Sequence, residues 1–221
     1  MTTSIKSSTE QRILAQIKRG DRSALGELLR NYQHRIYNIC LRMLSNRDDA
    51  AEITQETLLK IIQKIDDFRG ESELSTWIIR IAMNQSISHL RKRKLRLTTS
   101  IDSSRSGEHD HEDQASSLRN RLADSQEPQP FESVEKKEML DHLKVALASL
   151  EEPFRAVLVL RDIDQIEYEQ IAEVLDVPVG TVKSRLFRAR LALRQEMRRL
   201  YSTGEEDKVS TGSTQDDIDH G

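Results

Sequence analysis

Two short helices joined by a two-residue turn constrain the fold of this chain more than any other stretch. Residues 168–175 carry apolar side chains at helical spacing, and Asp176 and Val177 leave room only for a tight turn. Pro178 suits the start of the next helix, where its missing N–H costs nothing. That helix repeats apolar residues on one face, at Val182, Leu186, Ala189 and Leu193. The pattern predicts a helix-turn-helix.

The other faces of this second helix are polar and basic. They carry Lys183, Ser184, Phe187, Arg188 and Arg190. The major groove of duplex DNA admits one α-helix, and a basic helix after a tight turn is typical of proteins that read it. The alternative is an ordinary helical hairpin with a solvated basic face, because such faces are common.

Helical periodicity extends over most of the chain. Aromatic residues make up only 4%, and glycine and proline are few, so we expect an all-α protein. Apolar residues recur at helical spacing in residues 11–20, 23–43, 48–65, 77–90, 134–150 and 153–160. The stripe of the third of these helices comprises Ile53, Leu58, Ile61, Ile62 and Ile65.

Polar residues mark where the helices begin. A capping side chain accepts a hydrogen bond from the free backbone N–H groups of the first turn. We expect Asp21 to cap the second helix, Asp48 or Asp49 the third, and Ser72 or Ser75 the fourth.

Charge divides the chain into parts. The net charge is −3, but residues 97–131 carry −4 and residues 202–221 carry −5, which leaves about +6 elsewhere. Acidic tracts that are poor in apolar residues do not form a core. We therefore expect two helical domains over 10–96 and 132–201, a flexible acidic linker over 97–131, and disordered ends over 1–9 and 202–221.

Several classes of protein are disfavoured. No apolar run is long enough to span a bilayer, and the polar first ten residues do not resemble a secretory signal. The single Cys40 suits a reducing cytoplasm and a buried position on a helix. His109-Asp110-His111 could suggest a metal site, but the acidic tract around it offers no further ligand pattern, so no metal is expected. We see no nucleophile elbow, Walker loop or cysteine pair, and expect neither an enzyme nor a cofactor.

A second block of motifs stands in the N-terminal half. Phe68-Arg69-Gly70-Glu71-Ser72 precedes residues 75–84 (STWIIRIAMN), and Gln55-Glu56 lies upstream. Together with residues 178–190, these motifs resemble the bacterial extracytoplasmic-function (ECF) sigma factors, which are small alternative initiation subunits of RNA polymerase. The resemblance covers residues 10–96 and 132–200. It implies a four-helix sigma domain 2, a helix-turn-helix sigma domain 4, and an alternative sigma factor that binds core polymerase, directs it to specific promoters and melts the −10 element.

The resemblance assigns −10 DNA binding to the loop after residue 67 and to the helix that follows. The residues are Phe68, Arg69, Trp77, Asn84, Arg91, Arg93 and Lys94. A flipped base needs an aromatic wall and hydrogen-bonding groups at its edge, and the basic run after residue 90 would follow the DNA backbone. Core packing is the alternative for Trp77, and a loop anchor is the alternative for Phe68.

The resemblance assigns −35 DNA binding to the second helix of the helix-turn-helix. The residues are Thr181, Lys183, Ser184, Arg185, Phe187 and Arg188. Arginine can pair with guanine edges, and phenylalanine can touch a thymine methyl group. The alternative for Arg185 is contact with a DNA phosphate, and the same alternative applies to Arg190.

The third helix is implied to dock on the coiled coil of the polymerase's largest subunit. The docking residues are Glu52, Gln55, Glu56, Leu59 and Lys60. Leu58 stands where the family commonly has Phe. Residues 48–52 carry the acidic side chains that usually precede the Gln-Glu pair in a different order. The alternative is a solvated helix face.

The expected partners are thus promoter DNA and core RNA polymerase, including its flap region, with an anti-sigma factor as a further partner and no membrane insertion. The resemblance also implies a cytoplasmic protein. The runner-up function is a stand-alone helix-turn-helix regulator, which would leave residues 68–96 without a purpose.

Overall fold

The computed structural model describes residues 2–103 and 134–211, with side chains over 10–96 and 137–202. These ranges contain helices and no strand, so the all-α prediction is confirmed. The N-terminal unit comprises α1 (Thr2–Ile17), α2 (Arg22–Leu44), α3 (Arg47–Lys64) and α4 (Leu74–Ser103). The C-terminal unit comprises α5 (Val134–Ser149), α6 (Glu152–Leu158), α7 (Tyr168–Leu175) and α8 (Val179–Thr211). The linker predicted over 97–131 lies outside the described residues from residue 104 onward, and so does His109-Asp110-His111.

Side-chain caps explain where two helices begin. Asp21 Oδ1 accepts from the backbone N–H groups of Ser23 at 2.8 Å and Ala24 at 3.2 Å, as predicted. The prediction for α3 was wrong, because Asn46 Oδ1 accepts from Asp49 N at 3.0 Å. A cap must precede the first turn to reach its free N–H groups, whereas Asp48 and Asp49 lie inside that turn, where they face the helix's positive end.

The start of α4 also differs from its prediction. The helix begins at Leu74, which places Ser75 inside it and leaves Glu73, rather than Ser72, at the capping position. Three helices extend into stretches that we expect to be unstructured, since α1 begins at Thr2, α4 continues to Ser103 and α8 continues to Thr211. Lengthening an existing helix costs little per residue, and composition alone does not fix where it stops.

In the N-terminal unit, α2 is the central helix and packs against α1, α3 and α4. Its inward face includes the fully buried Leu28, Ile36 and Ile39. Cys40 is buried on this face as predicted, and burial raises the pKa of its thiol. The core thus forms along the periodic apolar stripe that the sequence contains.

In the C-terminal unit, α8 packs against α5, α6 and α7. Between α6 and α7 lies a π-helical turn, Val159–Ile163, in which the N–H of Asp164 donates to the carbonyl of Val159 at 2.9 Å. This turn contributes two carboxylates with different partners. Asp162 pairs with Arg190 of α8, and Asp164 pairs with Arg35 of α2.

The two units pack against each other in the described structure. Helix α7 lies against α4, while α5, α6 and the π-helical turn lie against α2. Buried apolar side chains of both units form one continuous cluster. The chain therefore adopts a closed arrangement, whereas the sequence suggests two bodies held only by a linker.

Candidate nucleic-acid interface

The loop before α4 carries the predicted aromatic pair. Gly70 has a φ of +76°, a left-handed conformation that glycine adopts without strain. Phe68 is only 6% exposed, and its ring centroid lies 5.2 Å from that of the half-buried Trp77. The structure packs Phe68 inward, in the arrangement of a loop anchor, and leaves Trp77 as the more accessible ring.

Trp77, Asn84 and Arg91 recur at seven-residue intervals along α4. Each interval is nearly two helical turns with a drift of about 20°, so the three residues share one face. They span roughly 21 Å at about 1.5 Å per residue. Asn84 and Arg91 are exposed, and Arg69 is exposed in the adjoining loop. Three of the predicted −10 residues, Trp77, Asn84 and Arg91, therefore form a line from the start of α4 to its basic end.

Carboxylates hold two of the predicted cations at that basic end. Arg91 donates to Glu152 of α6 through Nε at 3.2 Å and Nη2 at 3.0 Å, and this contact raises the pKa of Arg91. Arg93 Nη1 lies 3.6 Å from Oδ2 of Asp49. Lys94 is exposed. Both arginine side chains remain partly exposed, so a DNA phosphate would compete with these carboxylates for the two cations.

The helix-turn-helix has the predicted geometry. Asp176 ends α7 in a left-handed conformation with a φ of 54°, and the N–H of Val177 donates to the carbonyl of Ala172 at 3.0 Å. Val182, Leu186 and Ala189 of α8 are buried as predicted. The periodic apolar stripe therefore orients the opposite face of α8 outward.

The outward face of α8 combines cations with exposed apolar groups. Lys183, Ser184, Phe187 and Arg188 are exposed, whereas Thr181 and Arg185 are half-buried. Phe187 is 73% exposed, and Leu191, one helical turn further on, is 47% exposed. An apolar pair beside basic side chains is suited to a partner that has both phosphates and methyl groups, as duplex DNA has.

The sequence did not predict two contacts around the start of α8. The ring of Tyr168 lies 4.7 Å from the Arg161 guanidinium and 5.8 Å from Lys183 Nζ. Arg190 donates to both oxygens of Asp162, which raises the pKa of Arg190. These contacts join separate elements, so no local pattern in the sequence marks them.

The outer face of α3 carries the predicted polymerase-docking residues. Glu52 and Gln55 are exposed, and the large apolar Leu59 is 58% exposed. Glu56 and Lys60 both hydrogen-bond to Gln85 of α4, with Gln85 Nε2 donating to Glu56 Oε2 at 2.9 Å.

The prediction that Ile62 joins the buried stripe of α3 was wrong, because this side chain is 42% exposed. A helix that packs through a narrow stripe leaves the flanking apolar position at the surface. Ile62 lies one turn after Leu59 and enlarges the apolar part of this face.

The described ranges hold no group of three His, Cys, Asp or Glu side chains placed as metal ligands would be. Among the described helices, none combines the length and the apolar character that crossing a membrane requires. The candidate surfaces instead offer cations, hydrogen-bonding groups and exposed apolar side chains.

Family models match both units of the chain. The Sigma-70 region 2 model matches residues 28–96, and the Sigma-70, region 4 model matches residues 140–193. The ECF RNA polymerase sigma factor SigW of Bacillus subtilis is 33% identical over 85% of this chain and 96% of its own length. The RNA polymerase sigma-H factor of Pseudomonas aeruginosa is 32% identical, covering 86% and 95%. The ECF RNA polymerase sigma-E factor of Escherichia coli is 30% identical, covering 87% and 96%.

Solved structures share the arrangement of helices. The sigma factor RpoE in complex with the anti-sigma factor NepR from Bartonella quintana has a TM-score of 0.59 at 25% identity, covering 78% of this chain and 96% of that one. CnrH in complex with the cytosolic domain of CnrY has a TM-score of 0.57 at 20% identity, covering 85% and 96%. The second likeness concerns the fold alone.

Proposed function

The chain belongs to the ECF sigma factors, alternative sigma factors that direct RNA polymerase to promoters, and we propose that its two units divide this task. The N-terminal unit binds core polymerase and the −10 element, and the C-terminal unit binds the −35 element as duplex. The exposed basic face of α8 around Phe187 is the observation that carries this proposal. A stand-alone regulator would need only the C-terminal unit, whereas the family match also covers residues 28–96.

The primary test is run-off transcription with purified core polymerase on a library of promoters. Adding the chain is expected to start transcription from a subset of promoters that core polymerase alone does not use. Transcription that is unchanged by the chain would contradict the proposed function.

At the −35 element, we expect Arg188 to contact a base edge. Arg188→Ala should weaken holoenzyme binding to a specific promoter by roughly 1–3 kcal/mol, the range for one good base contact. Arg194→Ala is the matched control, because Arg194 is also exposed on α8 and lies nearly two turns further on. Equal losses on specific and scrambled promoters would assign Arg188 to the DNA backbone instead.

At the −10 element, we expect melting to depend on the line of residues along α4. Trp77 offers a stacking surface supported from within by Phe68, and Asn84 offers an amide for a base edge. Asn84→Ala should reduce permanganate reactivity of unpaired thymines on a duplex promoter but not on one with a pre-melted bubble. Ser88→Ala, exposed on the same helix, is the control. An equal loss on both templates would count against a role in melting.

The outer face of α3 is proposed to dock on the coiled coil of the polymerase's largest subunit. Its exposed carboxylates and the apolar Leu59 and Ile62 offer both charge and buried area to a partner. Glu56→Arg should weaken retention of core polymerase in a pull-down, while Glu27→Arg on the exposed face of α2 should not. Retention of core by Glu56→Arg as strong as by the wild type would remove Glu56 from the dock.

Further partners follow from family membership. The C-terminal unit is proposed to contact the flap region of the polymerase, and the chain is proposed to act in the cytoplasm, where the polymerase is. RpoE and CnrH were solved in complex with NepR and with the cytosolic domain of CnrY, which supports an anti-sigma factor as a partner of this chain. Sigma factors are non-catalytic initiation factors, so no residue is assigned to catalysis.

A further inference from the structure

One amide of α4 contacts two of the side chains that are proposed to dock on polymerase. Gln85 donates from Nε2 to Oε2 of Glu56 at 2.9 Å, and Lys60 Nζ donates to Oε1 of Gln85. An ammonium group only donates hydrogen bonds and a carboxylate only accepts them, so these two neighbours fix which way the amide faces. Gln85 is half-buried, whereas Glu56 is exposed. The amide thus connects α4 to the outer face of α3.

The amide stands where a direct ion pair would otherwise form. Glu56 and Lys60 are four residues apart on α3 with the carboxylate on the N-terminal side, which is the spacing that favours an ion pair on a helix. The structure describes both side chains and shows no ion pair between them, because each bonds to Gln85 instead. Gln85 therefore keeps the two charges from neutralising each other.

The choice of glutamine follows from this task. A side chain that bridges an ammonium and a carboxylate needs both a donor and an acceptor on one group, and a carboxamide has both. A carboxylate at this position would lack the donor for Glu56, and an ammonium would lack the acceptor for Lys60. The amide carries no net charge, so Glu56 and Lys60 each keep a full charge for a partner.

The two charges that Gln85 holds lie beside exposed apolar side chains. Leu59 is 58% exposed and precedes Lys60 directly. Ile62, one turn after Leu59, is 42% exposed. Ordering a long side chain before the partner arrives removes part of the entropy cost of association. The face fits a partner surface with an apolar centre, a cation opposite Glu56 and a carboxylate opposite Lys60.

We propose that Gln85 is a positioning residue for polymerase binding: its amide holds Glu56 and Lys60 apart and orients both charges toward the polymerase. Gln85 acts through these two side chains, and it belongs to α4 rather than to the docking helix. This inference rests on the proposed function, since it concerns how the outer face of α3 is arranged for docking on the largest subunit.

The test measures the affinity of the full, fluorescently labelled chain for purified core polymerase by anisotropy. Gln85→Met preserves the length of the side chain but removes its donor and its acceptor. We expect about tenfold weaker binding, because two long side chains must then be ordered during association. Gln33→Met is the matched control, since Gln33 is exposed on α2, and it should bind as the wild type does. An unchanged affinity of Gln85→Met would overturn the proposal.

A combination of variants separates positioning from a purely structural role. Glu56→Gln with Lys60→Met removes both charges, and adding Gln85→Met to this pair should weaken binding by no more than about a further twofold, because no charge is left to orient. A further loss of about tenfold in this background would overturn the proposal, since Gln85 would then act on the fold alone. The loss caused by Gln85→Met in the wild-type background should also shrink as salt is raised, because salt screens the oriented charges.

Gln85→Glu keeps the test decisive if the methionine variant does not fold, as judged by its melting temperature. Its carboxylate accepts from Lys60 but cannot donate to Glu56, and it brings a like charge close to that residue. We expect Gln85→Glu to bind core polymerase at least about fivefold more weakly than the wild type. Binding as tight as that of the wild type would overturn the proposal.

The same assay distinguishes this inference from the proposed function. If removing both charges weakens core binding but Gln85→Met does not, only the positioning role fails. If removing both charges leaves core binding unchanged, the proposed dock on α3 fails. If the wild-type chain does not bind core polymerase, the proposed function fails, whatever the effect of Gln85.

Discussion

Removing the Arg155 guanidinium tests how strongly one buried cation stabilises the fold, since it contacts backbone carbonyls of both units. Arg155 is 8% exposed in α6. Its Nη1 donates to the carbonyl of Met43 at 2.6 Å, and its Nη2 donates to the carbonyls of Leu150, at 3.0 Å, and Ala148. All three carbonyls lie at or just beyond helix ends, where the helix itself supplies no donor.

The magnitude follows from two opposing terms. Burial lowers the pKa of Arg155 from 12.5 to about 10, so the group stays charged at neutral pH at a cost of about 3 kcal/mol. Hydrogen bonds to a charged group contribute roughly 1.5–3 kcal/mol each, or about 4.5–9 kcal/mol for three. The bonds therefore outweigh the cost, and we expect Arg155→Ala, which also leaves a cavity, to lower the free energy of unfolding by about 3–5 kcal/mol. Arg155→Met should cost less, because it refills the volume.

The assay is urea unfolding of the full chain followed by circular dichroism. Arg194→Ala, an exposed arginine on α8, is the control and should change the unfolding free energy by no more than about 0.5 kcal/mol. Arg155→Met more stable than the wild type would refute the reasoning, because the desolvation cost would then exceed the gain from the three carbonyls.

Three further predictions concern single side chains. Asn46→Ala should lower the free energy of unfolding by about 1 kcal/mol in urea denaturation, because it removes the cap of α3. Phe187→Ala should weaken holoenzyme binding to −35 duplex in a gel shift without lowering the melting temperature, because the ring is 73% exposed. Leu59→Lys combined with Ile62→Lys should reduce core-polymerase affinity in a pull-down, again with an unchanged melting temperature, since both side chains are exposed.

The helix-turn-helix could be predicted from sequence because its determinants are local. The short α7, the turn at Asp176 and the buried positions of α8 all follow from spacing within about 20 residues. The same holds for Asp21, whose carboxylate needs only the next turn of the chain to form its bonds.

The predictions for the cap of α3 and for Ile62 were wrong because the local sequence is compatible with more than one arrangement. Asn46, Asp48 and Asp49 are all good capping residues, and the choice between them depends on where the chain leaves α2. Ser45 adopts a left-handed conformation with a φ of 53°, which ends α2 and leaves Asn46 in position to cap α3. Ile62 has the spacing of a core residue but lies just beyond the edge of the packed stripe.

The contact between the units could not be predicted from sequence patterns. Arg35 and Asp164 are 129 residues apart, and neither belongs to a recognisable motif. From sequence, Arg155 is an ordinary charged residue in a short helix. Its partners are the backbone carbonyls of three other residues, and a pattern of side-chain types carries no information about such contacts. The site residues stay predictions: the structure leaves most of the −10 and −35 groups at least partly exposed, but it buries Phe68.

Outside the two acidic tracts the chain has a net charge of about +6, yet we expect it to bind promoters only together with polymerase. The carboxylates that pair with its DNA-facing arginines offer a reason. Asp49, Glu152 and Asp162 each hold an arginine of a proposed DNA surface. A phosphate from free DNA competes for these partly exposed arginines with a carboxylate that is tethered to the same chain and is therefore present at high effective concentration. When polymerase holds both the chain and the promoter, the DNA phosphate is also present at high effective concentration. Promoter binding should therefore depend on polymerase most strongly where these carboxylates are intact, and replacing Glu152 by glutamine should reduce that dependence.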